Sequence, residues 1–176
     1  MVPLQEVTLR DHDVIITTEL DEVEEANQGK GKKNLMDLGG ALVKKKDPTK
    51  KEHVYKLLTP TFHPNDKWFC PRATVWMEWA FKTPYDLRAY GLRSANDWED
   101  RNPKGWTLYY KETPEDEEWK VAHTMDETDQ AGFFSDYWQL KIFYFDCGLV
   151  SVSNLKLDIT RNCGSDCFQL GQMVVY

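Results

Sequence analysis

Positive charge is scarce in this sequence. Lysine and arginine number 22 against 29 aspartates and glutamates, giving a formal charge of −7 and a pI near 5.1. A chain of that sign is repelled by phosphate backbones and anionic headgroups, which argues against nucleic acid or a membrane surface as the main partner. Long apolar runs are also missing: none approaches the roughly 18 to 20 residues needed to cross a bilayer. The opening Met1-Val2-Pro3-Leu4-Gln5-Glu6 has neither the basic nor the apolar part of a signal peptide, and no Asn-x-Ser/Thr acceptor occurs. Together these absences predict a soluble, cytoplasmic protein with no membrane span.

The groupings that carry catalysis are absent as well. His12, His53, His63 and His123 are scattered, with no His-x-x-x-His pair to hold a metal. Cys70, Cys147, Cys163 and Cys167 form no Cys-x-x-Cys pair, and no Gly-x-Ser-x-Gly elbow is present. Cys163 and Cys167 flank a short turn and could face each other at disulfide distance, whereas a reducing compartment favours free thiols. The expectation is a protein that is not an enzyme and has neither cofactor nor metal.

What the sequence does contain is aromatic and alternating. Phe, Trp and Tyr make up 13% of its 176 residues, seven of them Trp, in a chain long enough to fold around its own core without staples. Val14-Ile15-Ile16-Thr17-Thr18 is rich in β-branched residues and suits an edge strand. Val75, Met77, Trp79 and Phe81 alternate with Trp76, Glu78 and Ala80, and Leu87, Ala89 and Gly91 with Arg88, Tyr90 and Leu92. Trp106, Leu108 and Tyr110 alternate with Thr107, Tyr109 and Lys111; Trp138 to Phe145 and Leu155 to Thr160 show the same period of two. Turn residues separate these runs at Lys82-Thr83-Pro84, Thr113 to Asp116, Asp126 to Asp129 and Asn162 to Asp166. Many short strands without helical periodicity, and without an internal repeat, predict an all-β antiparallel sandwich. Trp76, Trp79, Trp106, Trp119 and Trp138 are expected in its core.

Between two of these strands runs Ser94-Ala95-Asn96-Asp97-Trp98-Glu99-Asp100-Arg101-Asn102-Pro103-Lys104-Gly105-Trp106. Its Ser94-Ala95-Asn96-Asp97 and the following Arg101 to Trp106 resemble the S-A-N-D and R-D-P-x-x-W motifs of galactose-binding-like jelly rolls, the discoidin or coagulation factor type C domains. Glu118-Trp119 is similar to the family's next d-g-x-x-W turn, and Phe168 to Met173 to its closing v-Q-L-x-E-I strand. The match covers about Lys67 to Tyr176 and implies one sandwich domain over residues 1–176, of which 1–66 is the part the motifs do not reach. The resemblance also implies ligand loops at one end of the sandwich. Asn34-Leu35-Met36-Asp37-Leu38-Gly39-Gly40 resembles a turn that in some relatives holds calcium together with a Glu of the closing strand. Here Leu38 intrudes and Gln172 stands in place of the Glu, so a hydrogen-bonded turn at Asp37 is expected instead of a metal site.

The loop offers what a polar ligand requires: the amide of Asn96, the carboxylate of Asp97, the guanidinium of Arg101 and the indole of Trp98. Trp68, beside an irregular stretch from Thr59 to Lys67, is expected to assist. A competing account has Asn96, Asp97 and Arg101 bracing the loop, with Arg101 paired to Asp97, and Trp98 either exposed or core. Acidic Glu19 to Glu25 reads as a solvated segment or a cation-binding loop, basic Lys44 to Lys51 as a solvated loop or a patch for an acidic or phosphorylated partner, and Gly29-Lys30-Gly31-Lys32-Lys33 lacks the spacing of a phosphate cradle. Two functions are therefore open. One is a non-catalytic module recognising a glycan or similar small polar ligand; the other is an intracellular protein-interaction or scaffold domain whose sugar site has degenerated.

Overall fold

The alternating runs become strands in a computed structural model that describes residues 3–20, 52–58 and 66–176. The acidic run beyond Leu20, Gly29 to Lys33, Asn34 to Gly40, Lys44 to Lys51 and residues 59–65 lie outside the described residues. The strands are β1 (Val14–Thr18), β2 (Trp68–Cys70), β3 (Val75–Arg93), β4 (Pro103–Lys111), β5 (Lys120–Met125), β6 (Leu140–Asn162), β7 (Phe168–Leu170) and β8 (Gln172–Val175). All pairings are antiparallel. The main sheet has the order β1-β3-β6-β4-β5 with β8 also on β3, and β2 pairs with β7 in a separate two-stranded sheet.

Two strands are far longer than sequence punctuation suggests. Lys82-Thr83-Pro84 was expected to end one strand and start another, yet β3 continues through it, and register shifts against β6 fall between Ala80 and Ala89. Proline has no N–H for the ladder, and irregular pairing accommodates it while bending the strand. Here β3 and β6 fold back together, so that their first and second halves belong to opposite layers of a β-sandwich. The front layer joins β1, the first half of β3, the second half of β6, β4 and β5; the rear layer joins β8 with the remaining halves.

The layers meet through side chains chosen by the pleat. Val75, Met77, Trp79, Leu108, Leu155, Leu157 and Ile159 are buried from the front, and Tyr90, Phe143 and Phe145 from the rear. Trp106 contacts Phe143 edge-on with centroids 5.5 Å apart, and Tyr90 lies near Phe145 at 5.7 Å. Between them runs a short polar chain. Trp106 Nε1 donates to Tyr90 Oη at 2.8 Å, and that oxygen lies 2.6 Å from His123 Nδ1. An indole N–H can only donate, which leaves the Tyr90 hydroxyl to donate onward to an unprotonated Nδ1. Burial holds His123 below its ordinary value and Tyr90 above its own, so both remain neutral near pH 7.

Trp79 and Trp106 occupy the core as expected, but Trp76, Trp119 and Trp138 are only half-buried. Trp76 and Trp119 lie on the outer face of the front layer, where Lys156 Nζ sits 4.7 Å from the Trp76 ring and Lys111 Nζ 4.6 Å from the Trp119 ring. A lysine stem and ammonium over an indole cover it as a core would, at the water's edge. All four cysteines are free.

Candidate functional site at the end of the sandwich

The end where β3 passes to β4 is assembled by small residues with their backbone groups in use. The β3–β6 ladder, which sets Arg93 opposite Leu140, continues beyond the strands: Ser94 N donates to the Gln139 carbonyl at 3.0 Å and Trp138 N to the Ala95 carbonyl at 3.2 Å. Ser94 Oγ accepts from Gln139 N at 2.9 Å and donates to the Asp136 carbonyl at 2.7 Å. Both Ser94 and Ala95 are fully buried. A side chain on Gly171 would run into the Ser94 carbonyl and lie 2.8 Å from Trp138 Cζ3, so this packing requires a glycine.

Below the loop, Lys67, just before β2, and Gln169 of β7 supply a polar floor. Lys67, only 4% exposed, donates from Nζ to Asp97 Oδ1 at 2.6 Å and to Gln169 Oε1 at 3.1 Å. The Gln169 amide donates in turn to the carbonyls of Asp97 and of Trp98, the latter at 3.1 Å. A buried ammonium tolerates its site only when paired and hydrogen-bonded, and here both conditions hold. At the far end of the loop, Ser165 N donates to the Asp100 carbonyl and Cys163 N to that of Asn102.

Asp97 is therefore a brace, but through Lys67; the Arg101–Asp97 pair of the bracing account does not form. Lys67 occupies that carboxylate, and the Arg101 guanidinium lies instead over two rings, 5.3 Å from the centre of Phe69 and 5.0 Å from that of Trp98. Trp98 is 60% exposed and left-handed, with φ 43° and ψ 74°. A bulky residue in that conformation costs on the order of 1 to 3 kcal/mol, and such outliers cluster where a surface is held ready for a ligand. Asn96 Oδ1 and Arg101 Nε are buried without a hydrogen-bond partner among the described residues.

Trp68 must be corrected. It lies in β2, is fully buried and meets Phe168 edge-on at 5.3 Å, so its indole offers no face to a ligand. Alternation along β2 turns its neighbour Phe69 the other way, beneath Arg101. Lys67 and Gln169 were missed as site residues. Gln169 stood in the closing-strand motif, but only the pairing of Phe69 with Gln169 brings it under the loop.

Gln172, at the place of the calcium-binding Glu, is 5% exposed, and its Oε1 accepts from Arg93 Nε at 3.1 Å. An oxygen facing a guanidinium is poorly placed for a cation. Among the described residues, no three His, Cys, Asp or Glu side chains gather as metal ligands.

No family model matches this chain, and no curated protein matches it in sequence. Solved structures do. A CBM32 module from Clostridium perfringens in complex with GalNAc-β-1,3-galactose aligns over 98% of this chain and 99% of its own, with TM-score 0.62 and 10% identity. The family 32 module of C. perfringens NanJ in complex with galactose aligns over 97% and 98%, with TM-score 0.62 and 7% identity. An F5/8 type C domain from Bacteroides fragilis aligns over 99% and 97%, with TM-score 0.61 and 9% identity. The chain has the fold of galactose-binding-like β-sandwiches. Within that class its particular counterparts are carbohydrate-binding modules of family 32 and discoidin-type domains.

Proposed function

We propose that this protein is a non-catalytic carbohydrate-binding module that takes a glycan on the loop between β3 and β4. The observation that carries the reading is Trp98: an exposed indole in left-handed backbone, on a loop fixed from below by Lys67 and Gln169. The C–H face of a sugar stacks on such a ring, while the Arg101 guanidinium beside it supplies donors for hydroxyls. Rigidity matters because a preformed site spends less of its contact energy on ordering itself. Solved modules of the same fold in complex with galactose and with GalNAc-β-1,3-galactose support this reading. Its test is a glycan array followed by thermal-shift titration: the expected result is retention of a defined sugar class and a rise in melting temperature with that sugar. Binding to no sugar would reject it.

One observation favours a second reading, a cytoplasmic protein-interaction domain. Tyr144 and Val150, at the opposite end where β6 bends, are 64% and 69% exposed and line a cleft with Leu87 and Leu149. A partner captured there would bind Tyr144→Ser weakly and Trp98→Ala normally.

A further inference from the structure

Resting on the glycan reading, we infer that the sugar carries a carboxylate, as a uronic acid does, and that Arg101 is the residue that selects it. Other cations around this loop are matched by acids: Lys67 meets Asp97 at 2.6 Å, and Arg161, on the strand beside the start of β4, meets Glu127 at 2.5 Å. Arg101 is the exception. Its guanidinium has no ion pair and no hydrogen bond among the described residues and rests on rings alone, 5.3 Å from the centre of Phe69 and 5.0 Å from that of Trp98. The carboxylates that could answer it are engaged or turned elsewhere. Asp97 is taken by Lys67, and Glu99 and Asp100, in the same turn as Arg101, are exposed and form no pair with it.

Aromatic rings favour the flat faces of a guanidinium but give its N–H groups, which lie in the plane, nothing to bond. Nε is turned inward while the residue is only half-buried, which leaves the terminal nitrogens to meet a ligand beside the exposed indole. A hydroxyl of a neutral sugar accepts one N–H and leaves the charge unmatched. A carboxylate accepts two in parallel and matches the charge as well. With 5.0 Å between the guanidinium and the indole centre, one sugar unit reaches both, its ring against Trp98 and its carboxylate at Arg101. The chain's charge of −7 does not oppose this, because at physiological ionic strength charges are screened beyond about 8 Å. The near acids, Glu99 and Asp100, stand in water, where their opposition is weak.

The test is a titration of the full chain with matched pairs of sugars, galactose against galacturonic acid and glucose against glucuronic acid, read with the wild type, Arg101→Gln and Trp98→Ala. Wild type is expected to bind one uronic acid about tenfold more tightly than its neutral counterpart, the equivalent of ~1.4 kcal/mol, and to lose that preference as sodium chloride is raised to about 1 M. Arg101→Gln should bind the two members of the pair within about twofold of each other, and Trp98→Ala should lose both. Matching melting temperatures exclude a folding defect in Arg101→Gln; where they do not match, the wild-type preference and its salt dependence decide alone. If wild type does not distinguish the pair or prefers the neutral sugar, or if a folded Arg101→Gln keeps the preference, the inference fails, and the glycan reading stands as long as Trp98→Ala abolishes binding. If wild type binds no sugar of either kind, both fail.

Discussion

The Trp106–Tyr90–His123 chain inside the sandwich and the Asn96 to Arg101 loop at its end use the same kinds of side chain to different effect. In the interior, the indole N–H, the hydroxyl and the imidazole are bonded in sequence, and each ring is packed by others. At the end, the lower half of the loop is as well satisfied, through Lys67 and Gln169, while its upper half leaves Asn96 Oδ1 and Arg101 Nε unpartnered and Trp98 in water. Rings that only stabilise the fold are packed within it; an indole left in water on a loop braced from below marks where a partner from outside is expected.

If this division is right, the largest loss comes from the interior. Leu157, 1% exposed and opposite both Met77 and Leu108, should cost about 2 to 5 kcal/mol on replacement by alanine in denaturant unfolding. A loss under about 0.5 kcal/mol would mean that the strand faces the other way.

The brace comes second. Lys67→Met should cost roughly 1 to 3 kcal/mol, because Gln169 and Asp97 both lose a charged donor. The Asp97 carboxylate is 41% exposed and regains water, which keeps the loss below that of a fully buried pair. Glycan affinity should fall with it, since Trp98 is then no longer held; unchanged affinity would separate brace from site.

The smallest stability effect tests the polar chain by pH. Burial lowers His123 from its ordinary 6.5, so the unfolded chain binds a proton that the folded chain resists. Stability from this group is complete above pH 6.5 and is lost as pH falls below it towards the lowered folded value. His123→Gln keeps an acceptor for Tyr90 but does not titrate. Its melting temperature should decline less than wild type between pH 7.5 and 5.5, and parallel declines would contradict the neutral-acceptor assignment.

How much of this was legible beforehand follows the range of the interactions. Leu155, Leu157 and Ile159 announced their burial because a pleated strand writes its inner face at every second position. Pro84 misled, since local punctuation cannot tell a turn from a bend within a paired strand. The loop motif was visible, but its mechanics were not: Asp97 answers to Lys67, 30 positions earlier, and Trp98 to Gln169, 71 positions later. Trp68 and Phe69 are adjacent aromatics, and only the pairing of β2 with β7 decides which one faces the loop.

The central claim is that the exposed indole of Trp98 exists for a ligand. Trp98→Ala, assayed for unfolding free energy and for binding to the sugar retained by wild type, tests it most directly. The account predicts that binding is lost while stability changes by less than about 0.5 kcal/mol, as surface substitutions usually do. An unfolded variant, or one that binds the sugar as tightly as wild type, would contradict it.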